Sequence, residues 1–217
     1  MEQAPPSASL TDAATEPETS ADAAGTRACA LEQEAQSPSD DELVAAYADG
    51  EIRAFELLYA RHKGPLFRFF ARQLDTADAN DAFQETWSKL LPALDNYQPD
   101  GRFAGFLFTI ATNVLNDVYR KQMRSGMSNA QETDVDTLES EEQTVEQIER
   151  DQLRQHLYAE LKRLPVAQRS AWLLQHEGGL SLKEIAATTD STLEGVKSRL
   201  RYANEKLKAG LQRYVRS

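Results

Sequence analysis

The chain has 217 residues, 41% of them apolar, and a formal net charge of −11. That size suits one or two domains with buried cores, and no apolar run is long enough to cross a membrane. A single cysteine, Cys29, excludes an internal disulfide and cannot build a zinc site alone, and no basic segment leads into an apolar core at the N-terminus, so a cytoplasmic chain is expected.

Residues 1–38 are rich in Ala, Ser, Thr, Pro and Glu, and after Met1 their only large aliphatics are Leu10 and Leu31. Such a tail cannot bury enough apolar surface to offset its ordering entropy, so it is expected to be disordered. Ser39 with Glu42 predicts a helix start, with Leu43, Val44 and Tyr47 as its apolar stripe and Gly50 as its end. A second helix is expected from about Ile52 to His62, broken at Gly64-Pro65, and a third over Leu66–Leu74. A fourth, DANDAFQETWSKLL, begins at Thr76 or Asp78 and ends at Pro92. Phe83, Trp87, Leu90 and Leu91 form its apolar face, and Asp81, Gln84, Glu85 and Lys89 lie on other faces. Asp95–Arg102 reads as a loop by its Pro, Asp and Gly. The fifth helix, FAGFLFTIATNVLNDVYRK, is apolar early on and interrupted by Asn113 and Asn116. The pattern favours these as buried hydrogen-bonding residues, with a ligand-reading role as the alternative.

Residues 123–143 carry many acids and no helical stripe, which predicts a flexible acidic linker. Helical spacing resumes with Val145, Ile148, Leu153, Leu157, Leu161 and Leu164. Pro165 is placed at the first position of the next helix, whose core is Ala171, Trp172, Leu173 and Leu174. After Gly178-Gly179, Ser181 with Glu184 and Ser191 with Glu194 form two capping boxes ten residues apart. Two capped helices joined by so short a turn predict a helix-turn-helix. The second has an apolar seam of Leu193, Val196, Leu200, Ala203 and Leu207. Its opposite face holds Glu194, Ser198, Arg201, Tyr202 and Glu205, flanked by Lys197 and Arg199. Such a face suits base edges and phosphates, or it is a solvated face. The net acidity does not oppose DNA binding, because it is segregated: residues 151–217 are net +5, whereas 1–40, 41–122 and 123–150 are −7, −3 and −6.

No strand alternation of useful length appears, so the expected fold class is all-α. It consists of two small helical domains joined by the acidic linker, at 39–122 and 144–217, with the helix-turn-helix in the second. His62, His156 and His176 lack nucleophile or metal companions. No catalytic site, metal or cofactor is expected.

AFELLYARHKGPLFRFFARQL, DANDAFQETWSKLLPAL, FLFTIATNVLNDVYRK, LKRLPVAQRSAWLLQHEGGLSLKEIA and VKSRLRYANEKL, in this order, resemble the extracytoplasmic-function (ECF) RNA polymerase sigma factors. The resemblance spans about Asp41–Lys121 and Gln152–Leu211. It implies that Asp81, Gln84, Glu85 and Trp87 belong to a surface docking on the clamp helices of the polymerase's largest subunit. It implies that Ala93, Tyr97, Asn113 and Asp117 capture a flipped-out base of the downstream promoter element, by stacking on an aromatic and bonding to an amide. It implies that Lys197, Ser198, Arg199, Arg201 and Tyr202 contact the upstream element. Core RNA polymerase and promoter DNA are the implied partners, and an anti-sigma factor is a further one that no residue here carries by itself.

The sequence departs from the family's usual pattern at Phe106, often Trp, at Thr109 and Thr112, often basic, at Glu194-Gly195 and at Tyr202-Ala203-Asn204. A stand-alone helix-turn-helix regulator with an all-α sensor or dimerisation domain is the rival; it does not require the DANDAFQETW helix, the Tyr97 loop or Asn113.

Overall fold

The computed structural model describes residues 37–125 and 145–215. The chain divides into two units, Met1–Pro38 and Ser39–Ser217. Nearly all of the expected disordered tail, 1–38, and most of the expected linker, 123–143, lie outside the described residues. Among the described residues there are eight α-helices and no strand. They are α1 (Asp40–Ala48), α2 (Ile52–Ala71), α3 (Thr76–Ala93), α4 (Phe103–Ser125), α5 (Val145–Lys162), α6 (Val166–His176), α7 (Leu182–Thr188) and α8 (Leu193–Val215), with a 3-10 turn at Leu94–Asn96.

Local chemistry accounts for several of the helix ends. Ser39 Oγ accepts from the Glu42 N–H at 3.3 Å while the Ser39 N–H donates to Glu42 at 2.7 Å, completing the expected box at the start of α1. Gly50, at φ +96°, turns the chain into α2 in a conformation that favours glycine.

The break expected at Gly64-Pro65 does not occur: α2 runs through Pro65 to Ala71. Pro65 removes one backbone hydrogen bond and crowds the carbonyl of Arg61, a cost of about 3 kcal/mol in a helix interior. Ala54, Leu58 and His62 before it and Leu66, Phe69 and Phe70 after it form one continuous buried stripe. A break would throw the two halves of that stripe out of phase. Each large side chain buried contributes about 1.5–3 kcal/mol, so keeping the stripe in phase outweighs the proline.

The start of α3 is capped by Asp75, whose carboxylate accepts from the Asp78 N–H at 2.9 Å. Its end also differs from expectation. The helix passes Pro92 by one residue and then tightens into the 3-10 turn.

In the C-terminal half, α8 packs against α5, α6 and α7. Pro165 occupies the N-cap of α6 rather than its first position. Ser181 and Glu184 form the expected box at the start of α7, at 3.4 and 2.8 Å. The second expected box does not form. Thr192, not Ser191, caps α8: its Oγ1 accepts from the Gly195 N–H at 3.1 Å. The Ser191 hydroxyl is taken by Thr189 at 2.9 Å and by Arg199 at 3.2 Å, and Glu194 pairs with Lys197 at 2.7 Å instead of reaching back. Val196, Leu200, Ala203 and Leu207 are buried as expected, whereas Leu193, at the very start of the helix, is exposed.

The two halves meet in one compact unit, with α4 against α7. Their junction joins one continuous apolar core with a set of polar contacts. Glu177, just past α6, pairs with Arg68 at 2.7 Å and with Arg72. Burial pulls the Arg72 guanidinium down from the usual arginine range, and the Tyr158 hydroxyl beside it works in the opposite direction. The guanidinium also lies over the Tyr158 ring, 4.2 Å from its centroid. Ser170 donates to the Gln73 side chain at 2.6 Å, and Thr109 and Thr188 share a hydrogen bond at 3.0 Å.

Candidate nucleic-acid interface

α3 and α4 are successive antiparallel helices. Lys89 lies 4.0 Å from Asp117, and Gln122 donates to Asp78 at 2.7 Å. That register sets Ala93, one turn further along α3, opposite Asn113, one turn back along α4. Beyond the 3-10 turn, the Tyr97 ring packs on Phe106 at 5.1 Å and edge-on to Phe103 at 5.8 Å. Phe106, Ile110, Asn113 and Asp117 share one face of α4 by helical spacing. Ala93, Tyr97, Asn113 and Asp117 therefore lie along one strip: Asn113 exposed, the other three half-buried.

Asn113 and Asn116 are both exposed, which corrects the expectation that they serve as buried hydrogen-bonding residues. Two further polar positions on α4 turn the other way. Thr112 is buried, and Thr109 faces α7 through its bond to Thr188. A basic side chain at either position would lose its water; the Thr109 hydroxyl finds partners in Gly105 and Thr188, whereas the Thr112 hydroxyl is buried without one among the described residues.

On α3, Asp81 and Gln84 are exposed and Glu85 is half-exposed, in an i,i+4 pair with Lys89 at 2.7 Å. Trp87 is not on that surface. It is 7% exposed and packs with Tyr59 at 4.8 Å, Phe55 at 5.9 Å and Phe83 at 6.2 Å. Trp87 thus lies in the core beneath the polar face, which consists of Asp81, Gln84 and Glu85.

On α8, Lys197, Ser198, Arg201 and Tyr202 are exposed, and the Arg201 guanidinium lies over the Tyr202 ring at 4.9 Å. Arg199 is half-buried and braces the turn through Ser191. Asn204, expected on the reading helix, accepts from the Trp172 indole at 3.1 Å and ties α8 to α6.

The Sigma-70 region 2 family model matches residues 58–125, from the middle of α2 through α4. The ECF RNA polymerase sigma-E factor of Escherichia coli K12 is 30% identical over 189 residues, covering 82% of this chain and 97% of that one. The chain belongs to the ECF RNA polymerase sigma factors. The ECF sigma factor SigE of Mycolicibacterium smegmatis is 36% identical over 182 residues; the match covers 83% of this sigma factor but only 65% of SigE's own length. Among solved structures, CnrH in complex with the cytosolic domain of CnrY is similar at a TM-score of 0.57 and 27% identity, over 81% of this chain and 98% of CnrH. The Bartonella quintana sigma factor RpoE, solved with the anti-sigma factor NepR, shares the fold at a TM-score of 0.60 and 22% identity, over 73% of this chain and 96% of RpoE. Sigma factors direct RNA polymerase to promoters, and the family assignment sets aside the stand-alone regulator.

Sequence reasoning missed two elements of this sigma factor. One is the Arg68–Glu177–Arg72 cluster joining the halves. The other is Asp41, which holds the Tyr97 hydroxyl and the Gly101 N–H from 56 and 60 residues away. Neither has a local signal, since an acid in the first turn of a helix already suits the helix dipole.

Proposed function

We propose that the sigma factor docks on the clamp helices of core RNA polymerase through Asp81, Gln84 and Glu85 of α3. It takes an unstacked base of the downstream element on the Ala93–Tyr97–Asn113–Asp117 strip. It reads the upstream element with Lys197, Ser198, Arg201 and Tyr202 of α8. Residues 39–122 and 144–217 act as separate domains on the two elements, so the junction between them opens on the promoter. The observation that carries this proposal is the grouping of a small residue at the end of α3, an aromatic ring just beyond it packed on Phe106, and an exposed amide on the same face of α4 as Phe106. An aromatic face offers about 1–3 kcal/mol for a stacked base, and an amide can bond its Watson–Crick edge. No step requires a catalytic group or a cofactor, and the place of action is the cytoplasm with the polymerase. Because CnrH was solved in complex with the cytosolic domain of CnrY, a protein partner that binds this chain is proposed as well.

The test is purified core polymerase with this protein as the sole addition. Promoter-specific transcripts are expected, and their absence with a correctly folded chain and a genomic promoter library sinks the proposal. In the same assay Glu85→Lys is expected to weaken association with core polymerase while leaving the helical signal unchanged, because Glu85 is half-exposed and its pairing with Lys89 is worth at most about 0.5 kcal/mol. Unchanged core affinity removes α3 from the docking surface.

Arg201→Ala is expected to relax preference at one or two positions of the upstream element, by about 1–3 kcal/mol if the guanidinium bonds a guanine edge in bidentate fashion. Lys197→Ala is expected to weaken all sequences together and to lower the salt dependence by about one phosphate contact. Binding of both variants to a library of upstream-element duplexes at several salt concentrations separates the two roles. An equal loss on every duplex for Arg201→Ala excludes direct reading by that residue.

A further inference from the structure

The segment from Tyr97 to Gly101 is held at both ends by a single carboxylate. Asp41 Oδ1 accepts from the Tyr97 hydroxyl at 2.6 Å, and Oδ2 accepts from the Gly101 backbone N–H at 2.6 Å. Hydrogen bonds to an ionised acceptor are short and about twice as strong as neutral ones, and two of them fix both ends of the span. Gly101 adopts φ +74°, and nothing lies within 4 Å of where a Cβ would sit. Glycine there serves the backbone conformation that turns the N–H toward Asp41, not a shortage of space.

The Tyr97 ring is meanwhile held by Phe103 and Phe106. Burial first, and then the hydrogen bond and negative charge of Asp41, hold its hydroxyl far above the usual tyrosine range, so it stays a donor. Gln98, Pro99 and Asp100 stand exposed between the two anchored points. Asp41 is half-buried on α1 and reaches the loop from outside the α3–α4 pair.

We infer that Asp41 is a positioning residue for base capture, presetting the plane of the Tyr97 ring and the path of residues 98–100 so that an unstacked promoter base meets a formed platform. This role rests on the proposal that the Tyr97–Asn113 strip takes such a base. A loop already ordered has less conformational freedom to lose when the base arrives, so preorganisation appears as discrimination and not only as stability.

The probe is a set of promoter duplexes pre-melted over the downstream element, with each melted position varied in turn, bound by core polymerase carrying the full-length chain. Asp41→Ala is expected to reduce discrimination about tenfold at one melted position, the equivalent of one hydrogen bond to a charged acceptor. Preference at the other positions and at the upstream element is expected to stay unchanged. Tyr97→Phe keeps the ring, removes the same hydroxyl bond and leaves α1 intact, so it is expected to lose discrimination at the same position even if Asp41→Ala folds poorly. Combining the two substitutions is expected to cost less than the sum of the single effects. Tyr97→Ala tests the underlying proposal. If it leaves every base preference intact, base capture by this strip is wrong and the role of Asp41 falls with it. If Tyr97→Ala removes the preference but Asp41→Ala and Tyr97→Phe lower binding equally at all positions, the strip stands and the positioning role is overturned.

Discussion

Glu177→Ala is expected to destabilise the packed 39–217 unit by about 3–5 kcal/mol, the cost of removing one partner from a buried ion pair. The Arg72 and Glu177 side chains are each only 9% exposed, so the substitution strands the Arg72 charge in a place with little water. Arg68 tolerates the loss better, with a side chain 48% exposed. The penalty is capped by the cost of opening the junction, because separating the halves returns Arg72 to solvent. Urea unfolding together with small-angle scattering measures both outcomes. A lower midpoint, or a larger radius of gyration with the helical signal retained, is expected; a variant as stable and compact as the parent refutes the role of the cluster. Replacing Arg72 and Glu177 together by methionine is expected to recover most of the loss, since the only charge then left without its partner is that of Arg68, which is half-exposed. The contrast is the exposed Lys197–Glu194 pair, whose removal is expected to cost less than about 1 kcal/mol.

The second large effect is expected from Phe108→Ala, at about 3–5 kcal/mol. The ring is 1% exposed and meets Phe69 edge-on at 5.4 Å. On the C-terminal side its Cδ2 comes within 3.2 Å of where a Cβ on Gly178 would lie. Deleting it leaves a cavity bordered by both halves, which neither half can close alone. Thermal unfolding of the full chain checks it. A loss under about 1 kcal/mol contradicts the packing, and two separated transitions in place of one locate the loss at the junction.

Helix existence was legible along most of the chain because its signals are local. Ser39 with Glu42 and Ser181 with Glu184 act across three residues, and both boxes form. The seam Val196, Leu200, Ala203 and Leu207 repeats at helical spacing and is buried. Local rules failed where distant partners competed with them. Pro65 is a strong breaker by itself, but the stripe from Ala54 to Phe70 is held by helices elsewhere in the chain. Ser191 is in isolation the better cap of the two, and Arg199 and Thr189 leave the role to Thr192 by occupying the serine.

The candidate site divides the same way. Residue type placed Arg201 and Tyr202 among candidate readers, because guanidinium and aromatic groups suit bases and phosphates, whereas Tyr97 and Asn113 entered through the family resemblance. Which groups point outward could not be read that way. Trp87 lies inward among Phe55, Tyr59 and Phe83, as its place on the apolar face predicts and against the docking role the resemblance implies, and Asn113, expected inward, faces solvent. A helix with apolar groups on more than one face leaves its orientation open until its neighbours are known, and α4 is packed by α2, α3 and α7 at once.

The sequence by itself determined the all-α character, the two capping boxes that form, the seam of α8 and the concentration of positive charge after residue 150. These rest on hydrogen bonds and periodicities that close within one turn of helix, and on charge, which needs no fold to be counted. Only the tertiary structure decided that α2 stays whole, that Thr109 and Thr112 turn inward, that Glu177 is enclosed by two arginines, and that Asp41 reaches Tyr97 across 56 residues. Burial and long-range hydrogen bonds depend on which helices share a core, and no spacing rule within a single helix carries that information.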